Sequence, residues 1–386
     1  MGEISSKVEN NKLVIFLEGR VDTNNAAEVE EKINSIISKK SGHELVLDAA
    51  KLDYISSAGL RVVLRLRKIH PEIMVINVSS EVYDIFDMTG FTEMLKVEKA
   101  FKSISIEGCD VIGQGSNGIV YRTDPETIVK VYKYPDALDD IRHEREVARR
   151  ALILGIPTAI SYDIVKVGDK YGSVFELLNA KSFTELIIEN PDDLDKYVTI
   201  YVDVLKRIHA TEASESDFPD IKKTALKWVS DIENELPEEM ITKLRKMINE
   251  IPFSNTLVHG DYHTNNLMMQ GDEALMIDMD TLSLGNPVFD FASIYSAYSA
   301  FSEVDHTVIE KFLGISFETG LKILNKTFEL YFDPDVREIN LSKAKVISYM
   351  RLLRRTIKRF PDDTAMVNHC KEMLMELVPN VHNLYY

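Results

Sequence analysis

The sequence predicts two domains of different class: an α/β domain with helices packed on a mixed sheet over residues 1–107, and an α+β domain over residues 108–386. Three observations predict this. Over the first hundred or so residues, short apolar strand-like runs alternate with amphipathic stretches. A glycine-rich hairpin pattern then opens at Ile112, and farther on an acid-bearing loop and hairpin over residues 257–278 lead into several helical segments. A chain of 386 residues with 45% hydrophobic content is long and apolar enough for two or three domains with sizeable cores.

In the first domain, residues 13–17, 44–47 and 72–77 read as strands. Between them, residues 25–39 place Val29, Ile33, Ile36 and Ile37 on one helical face, and residues 58–69 do the same with Leu60, Val63 and Leu64. The strand at 44–47 leads through Leu52 and Ile55 into Ser56-Ser57-Ala58-Gly59-Leu60. At that point the domain resembles the STAS family, which includes bacterial anti-sigma factor antagonists; residues 18–22 and 77–79 fit as well. In that family a serine just before Ala/Thr-Gly-Leu is phosphorylated to switch partner binding, so the resemblance implies Ser57 as a phosphorylation site. The preceding residue is often aspartate in the family and is Ser56 here. Physically, Ser57 has two readings. It can cap the helix, or it can carry a dianion at the positive helix end, with Arg61 one turn onward. Arg61, Arg65 and Lys68 can equally form a solvated face.

The second domain opens with Gly113, Gly115 and Gly118 in the pattern G-x-G-x-x-G-x-V ending at Val120, followed by the strand-like run 128–131 with Lys130. Glycines let backbone N–H groups approach phosphate oxygens, and a lysine on the next strand can neutralise the phosphates. A dinucleotide fold uses the same letters, but there the glycines open a helix and here strand-like residues follow. Ser116 and Asn117 fall at the tip of this loop. A lysine in this role needs a glutamate partner on the following helix. Glu144 shares a helical face with Ile141, Ala148 and Ala151, whereas Glu146 falls among arginines and reads as surface charge.

The stretch 257–278 supplies the chemistry. Moving a phosphoryl group requires an acidic side chain to orient the acceptor hydroxyl and oxygen ligands to hold magnesium on the phosphates. Asp261, Asn266 and Asp278 can supply these functions. Residues 267–277 read as a hairpin turning at 270–273, and pairing Met269 with Ala274 brings Asn266 next to Asp278. Adjacent strands lie roughly 4.8 Å apart, close enough for two oxygens to share one small cation.

These motifs resemble the aminoglycoside phosphotransferase and choline kinase family, relatives of protein kinases that usually phosphorylate small molecules. The resemblance covers roughly residues 108–386 and includes Gly155 to Pro157, Leu205 to His209, and Asp290. It implies a bilobal protein kinase-like fold, with a small lobe at about 108–180 and a large lobe at about 181–386. It also implies Asp261 as catalytic base, Asn266 and Asp278 as magnesium ligands and Lys130 as the α/β-phosphate contact. Residues 176–178, with Glu176 and Leu178, would meet the adenine edge, and His259 and Asp290 would brace the loop. ATP and Mg2+ are the implied cofactors, and a small-molecule hydroxyl is the implied acceptor. No D-F-G follows, since Met279 and Asp280 succeed Asp278, and no A-P-E segment follows either, which argues against an ordinary protein kinase.

Other readings remain open at this level. His259, Asp261 and His263 spell H-x-D-x-H, a metal-hydrolase pattern, but that reading leaves the glycine loop and Lys130 without a purpose. The kinase-like domain could phosphorylate Ser57, in its own chain or another copy, or it could sense nucleotide without turnover. A net charge of −17 argues against nucleic acid or an anionic membrane as partner and weakly suits a cationic acceptor. Two cysteines, Cys109 and Cys370, give no disulfide framework, and no apolar run approaches a membrane span, so a cytoplasmic protein is expected. The STAS-like domain is the expected site for a protein partner.

Overall fold

The computed structural model describes residues 4–9, 11–40, 42–115 and 117–386. By its internal contacts the chain falls into two compact units. One comprises the residues up to Ser105 together with Ile164–Gly168, and the other Ile106–Asp163 with Asp169–Tyr386.

The first unit is built on a mixed sheet of five strands among the described residues, ordered Ser5–Glu9, Lys12–Val21, Glu44–Ile55, Met74–Val78, Lys96–Lys99. The first two pair antiparallel and the others parallel. Lys12–Val21 alternates as a half-buried strand should, turning Leu13, Ile15 and Leu17 inward. Helices Ala26–Lys39 and Ser57–Ile69 supply Val29, Ile33, Leu60 and Val63 to the same core, with Ile36, Ile37 and Leu64 half-buried at its edge. Two shorter helices, Ser80–Met88 and Phe91–Met94, add Phe86 and Phe91.

Ser57 does not cap its helix. The cap is Ser56, whose hydroxyl accepts from the N–H groups of Ala58 at 3.2 Å and Gly59 at 3.5 Å, while Ser57 is the exposed first helical residue. The strand runs unbroken to Ile55, so Ser56 still has extended backbone and is the residue placed to cap. Gly59 is demanded by packing, since a Cβ there would meet Ile55 Cγ1 at 2.7 Å.

The second unit begins with four antiparallel strands, Asp110–Gln114, Gly118–Arg122, Thr127–Tyr132 and Lys170–Glu176, the last pairing with Thr127–Tyr132. Helix Leu138–Ile153 follows the third of them. The rest is mainly helical around two small β elements. Leu267–Gln270 pairs with Glu273–Met276 in the register Met269↔Ala274, and Leu257–Val258 pairs with Ser283–Leu284. Helix Val288–Tyr298 is buried along its whole length and forms the centre of this portion. It packs against Arg337–Arg359, and Leu194–Ala210 and Phe317–Tyr331 complete the surrounding layer. Most of its residues are apolar, and its buried Asp290, Ser293 and Ser296 are each hydrogen-bonded, as such complete burial requires.

Candidate functional site

The glycine hairpin forms as read, with Gly113 opposite Val120 and Val120 opposite Lys130. Its tip closes through the Gly115 N–H, which donates to the Gly118 carbonyl at 2.9 Å. Gly118 has no room for a side chain, because a Cβ would lie 2.5 Å from the Val131 carbonyl oxygen. At Gly113 and Gly115 a Cβ would meet nothing closer than 3.6 Å, so packing within the protein does not demand these two glycines. The Asn117 carbonyl accepts from the Lys133 N–H at 3.0 Å, and Ser116 lies outside the described residues. Glu176 ends its strand exposed, and the next residue donates its N–H to the Glu126 carbonyl at 2.7 Å; Leu178 is half-buried.

Strand alternation sends Lys130 and Tyr132 to one face, where helix Leu138–Ile153 presents Glu144. Lys130 Nζ donates to Glu144 Oε1 and to Asp278 Oδ1, each at 2.9 Å, and the Tyr132 hydroxyl donates to Glu144 Oε2 at 2.6 Å. Glu146 pairs instead with Arg150 at 2.8 Å. Burial alone would push the Lys130 ammonium toward neutrality, but Asp278 and Glu144 together raise its pKa well above the usual lysine range. Burial alone would raise the Asp278 carboxyl, and the Lys130 charge and hydrogen bond hold it below its ordinary value.

Asp278 has left-handed backbone, with φ of 60°, a conformation that only glycine, asparagine and aspartate adopt with any frequency. It follows directly on the Asn266–Ile277 pairing, in which the Ile277 N–H donates to the Asn266 carbonyl at 3.0 Å. Asn266 and Asp278 therefore emerge side by side at the hairpin base. The Asn266 amide donates to the Asp261 carbonyl at 3.0 Å, which leaves its own oxygen free of protein donors among the described residues.

The loop carrying Asp261 is held from behind. The buried Asp290 carboxylate accepts from the N–H groups of His259 at 2.8 Å and Gly260 at 2.6 Å, and it meets His209 Nε2 at 2.9 Å. Burial would raise the Asp290 pKa, and the His209 hydrogen bond and charge bring it below the usual carboxylate range. Ser293 and Tyr298 of the same central helix accept from the N–H groups of Tyr262 and Thr264, at 2.8 and 2.9 Å. Gly260 sits at φ of 80° against Thr281, where a Cβ would come within 3.1 Å of a carbonyl oxygen. His259 itself is fully buried, and its Nδ1 accepts from the Asp261 N–H at 3.3 Å. Asp261 keeps a side chain that is 46% exposed. Among the described residues no three His, Cys, Asp or Glu side chains converge to hold a metal, so the H-x-D-x-H hydrolase pattern finds no support.

Sequence reasoning gave no role in the site to four residues, of which only His209 stood in a motif it quoted. Arg351, from helix Arg337–Arg359, donates to the Gly260 carbonyl and lies 3.9 Å from Asp261. His209 and Tyr331 extend the Asp290 network, with His209 Nδ1 2.8 Å from the Tyr331 hydroxyl. Asp280, two residues beyond Asp278, is pushed up to about 7 by burial and by the neighbouring charges of Asp278 and Glu144. The pairings of Arg351, His209 and Tyr331 join residues too distant in sequence for a local signal to reveal them. The repeated acid in Met276-Ile-Asp278-Met-Asp280 was visible.

The phosphotransferase enzyme family model matches residues 111–317, more than half of the chain. The chain belongs to that family. A model of the STAS domain matches residues 3–104. Over 89 residues the chain is 36% identical to a Bordetella bronchiseptica protein named as the anti-sigma factor antagonist BtrV, covering 22% of this chain and 76% of that one. Among solved structures, the GDP and kanamycin complex of APH(2")-IIia has a TM-score of 0.50 at 13% identity, covering 78% of this chain and 99% of that one. A thermostable mutant of the aminoglycoside phosphotransferase APH(4)-Ia, in ternary complex with ADP and hygromycin B, has a TM-score of 0.50 at 12% identity, covering 70% and 93%. At such identities the likeness concerns the fold. This phosphotransferase family member thus joins an α/β STAS domain to a kinase-like α+β fold. Among the described residues no helix is long and apolar enough to cross a membrane.

Proposed function

We propose that this protein is a magnesium-dependent ATP phosphotransferase that moves the γ-phosphoryl group to a hydroxyl of a small molecule, with the STAS domain regulating it or binding a partner protein. The functional boundary falls at residues 107/108, and the cytoplasm, where ATP is available and free thiols persist, is its place of work. The observation that carries the reading is the Lys130 ammonium held between Glu144 and Asp278, which joins the nucleotide hairpin to the acid-bearing hairpin.

In this reading Gly113, Gly115, Ser116, Asn117, Gly118 and Val120 cover the phosphates, and Glu176 to Leu178 meet the adenine edge. Lys130 neutralises the α/β-phosphates while Glu144 fixes its position. Asn266 and Asp278 offer hard oxygen donors of the kind magnesium takes, and a magnesium site usually needs only one or two protein ligands beside the phosphates. When bound, the ion would supply charge neutralisation on the phosphates. Asp261 accepts the hydrogen bond, and finally the proton, of the acceptor hydroxyl. His259 and Asp290 hold the loop so that Asp261 meets the hydroxyl in line. Turnover of ATP in the presence of hydroxyl acceptors tests this. Asp261→Asn should abolish transfer while nucleotide binding persists, and transfer undiminished in that variant would overturn the assignment.

A second reading has one observation in its favour. Ser57 is exposed, its hydroxyl has no partner among the described residues, and Arg61, one turn on, is exposed without an ion pair. A phosphate on Ser57 would find the helix N-terminus and a free guanidinium. Intact-mass measurement after incubation with magnesium and ATP distinguishes the readings: a phosphate absent from both Ser57→Ala and Asp261→Asn would favour signalling.

A further inference from the structure

Helix Arg337–Arg359 places Arg351, Arg355 and Arg359 at intervals of four, on one face. Its neighbouring cations are neutralised: Arg354 and Lys358 both reach Asp231, the latter at 2.6 Å. The Arg351 row is not. Arg351 has only Asp261, at 3.9 Å, and Arg355 and Arg359 have no carboxylate partner among the described residues. The Arg355 guanidinium lies over the rings of Phe301 at 5.0 Å and Phe360 at 5.3 Å. Partial desolvation and the like charges of Arg359 and Arg351 press its pKa down, with Asp261 acting in the opposite sense.

This row adjoins Asp261: Arg351 lies 3.9 Å from its carboxylate, and the same carboxylate acts on Arg355. Phe301 packs edge-on to Phe312, and Phe312 edge-on to His263, whose Nε2 is 3.8 Å from Asp261. An acceptor whose hydroxyl meets Asp261 would come within reach of this row. In a chain of net charge −17, Arg355 and Arg359, without a carboxylate partner among the described residues and on the helix that brings Arg351 to Asp261, call for an anion. The charge of the whole chain, which suits a cationic acceptor, is thus reversed locally.

We infer that the acceptor is a small molecule bearing both a hydroxyl and an anionic group, phosphate or carboxylate, with the anion on Arg355 and its neighbours and the hydroxyl on Asp261. This rests on the phosphotransferase reading. A guanidinium suits either anion through paired N–H donors, and Arg355, flanked by two rings, is held ready for one.

The test is transfer from γ-labelled ATP to a panel of acceptors, using the full chain. Glycerol 3-phosphate and glucose 6-phosphate represent phosphates, glycerate represents carboxylates, and glycerol, glucose, choline and kanamycin are the neutral and cationic counterparts. The expected result is transfer to anionic members in preference to their counterparts, with the phosphate and carboxylate arms telling which anion is taken. Arg355→Gln should raise the KM for the anionic acceptor about tenfold with a much smaller change in kcat, as loss of uniform binding does. Arg355→Lys should recover part of the loss, and added salt should raise the wild-type KM. Preference for choline, kanamycin or the neutral compounds would overturn the inference, as would an unchanged KM in Arg355→Gln. ATP hydrolysis that Asp261→Asn removes, with no anionic acceptor taken or with label only on the protein, would overturn it as well while leaving the phosphotransferase reading standing. Absence of any Asp261-dependent nucleotide turnover would instead remove that reading and this inference with it.

Discussion

Replacing Asp290 tests how the Asp261 loop is held. Its carboxylate is fully buried and takes two backbone N–H groups and one imidazole: Gly260 on Oδ1, His259 and His209 on Oδ2. Asparagine keeps the shape but has one acceptor oxygen, so at least one donor faces an amide N–H. An unsatisfied buried donor costs about 1–3 kcal/mol, and the surviving bonds lose their charge assistance. Asp290→Asn should therefore destabilise by about 2–4 kcal/mol, within the 5–15 kcal/mol typical of a domain, so the variant still folds. Gly260 adjoins Asp261, and a displacement of about 1 Å at such a group can cost about 100-fold in rate. Urea unfolding followed by tryptophan fluorescence of Trp228 gives the first number, and kcat/KM for ATP-dependent transfer gives the second. Stability within about 0.5 kcal/mol of wild type together with undiminished turnover would refute the reasoning.

Three further outcomes are expected. Lys130→Met should lower kcat/KM for ATP by about 100-fold, because it removes the phosphate-facing charge and leaves Glu144 and Asp278 without their shared cation; steady-state kinetics over ATP concentration measures it. Glu303 accepts from the hydroxyls of Tyr295 and Tyr349, each at 2.6 Å, and Ser299 at 2.8 Å, and pairs with His369 at 2.7 Å. Burial opposes its charge, but these hydrogen bonds hold its pKa below the usual range. Its stabilisation is thus present above the ordinary carboxylate pKa and lost as pH falls through the folded value. Glu303→Gln should cost about 2–3 kcal/mol at neutral pH and less in acid, read from urea midpoints at both. His263 is buried, and desolvation depresses its pKa below the usual 6.5 despite Asp261 nearby. The unfolded chain then binds the proton first, so stability falls as pH drops below about 6.5, and His263→Gln should flatten the Tm profile between about pH 7 and pH 5.

The site was legible where chemistry and local geometry coincide. The Met269↔Ala274 register and the adjacency of Asn266 and Asp278 followed from hairpin length, and helix periodicity alone chose Glu144 over Glu146. Two kinds of information were out of reach. One is backbone conformation: the positive φ of Asp278, and the extended backbone that makes Ser56 the cap in place of Ser57, depend on where strands end. The other is long-range pairing. Arg351 reaches Gly260 across 91 residues and His209 reaches Asp290 across 81, and although Leu205 to His209 and Asp290 stood out as motifs, nothing in their composition or period says that they pair. Net charge averages over the whole surface and so holds no record of the Arg351, Arg355 and Arg359 row on one helix face.

The central claim is phosphoryl transfer to a small-molecule hydroxyl through Asp261. Its most direct test is to incubate the protein and its Asp261→Asn variant with magnesium, γ-labelled ATP and a mixed pool of small hydroxyl compounds, then separate the labelled products. The account predicts label in a small organic phosphate with the wild-type protein and none with Asp261→Asn. Label confined to the protein at Ser57, or bound ATP that both proteins leave intact, would contradict it.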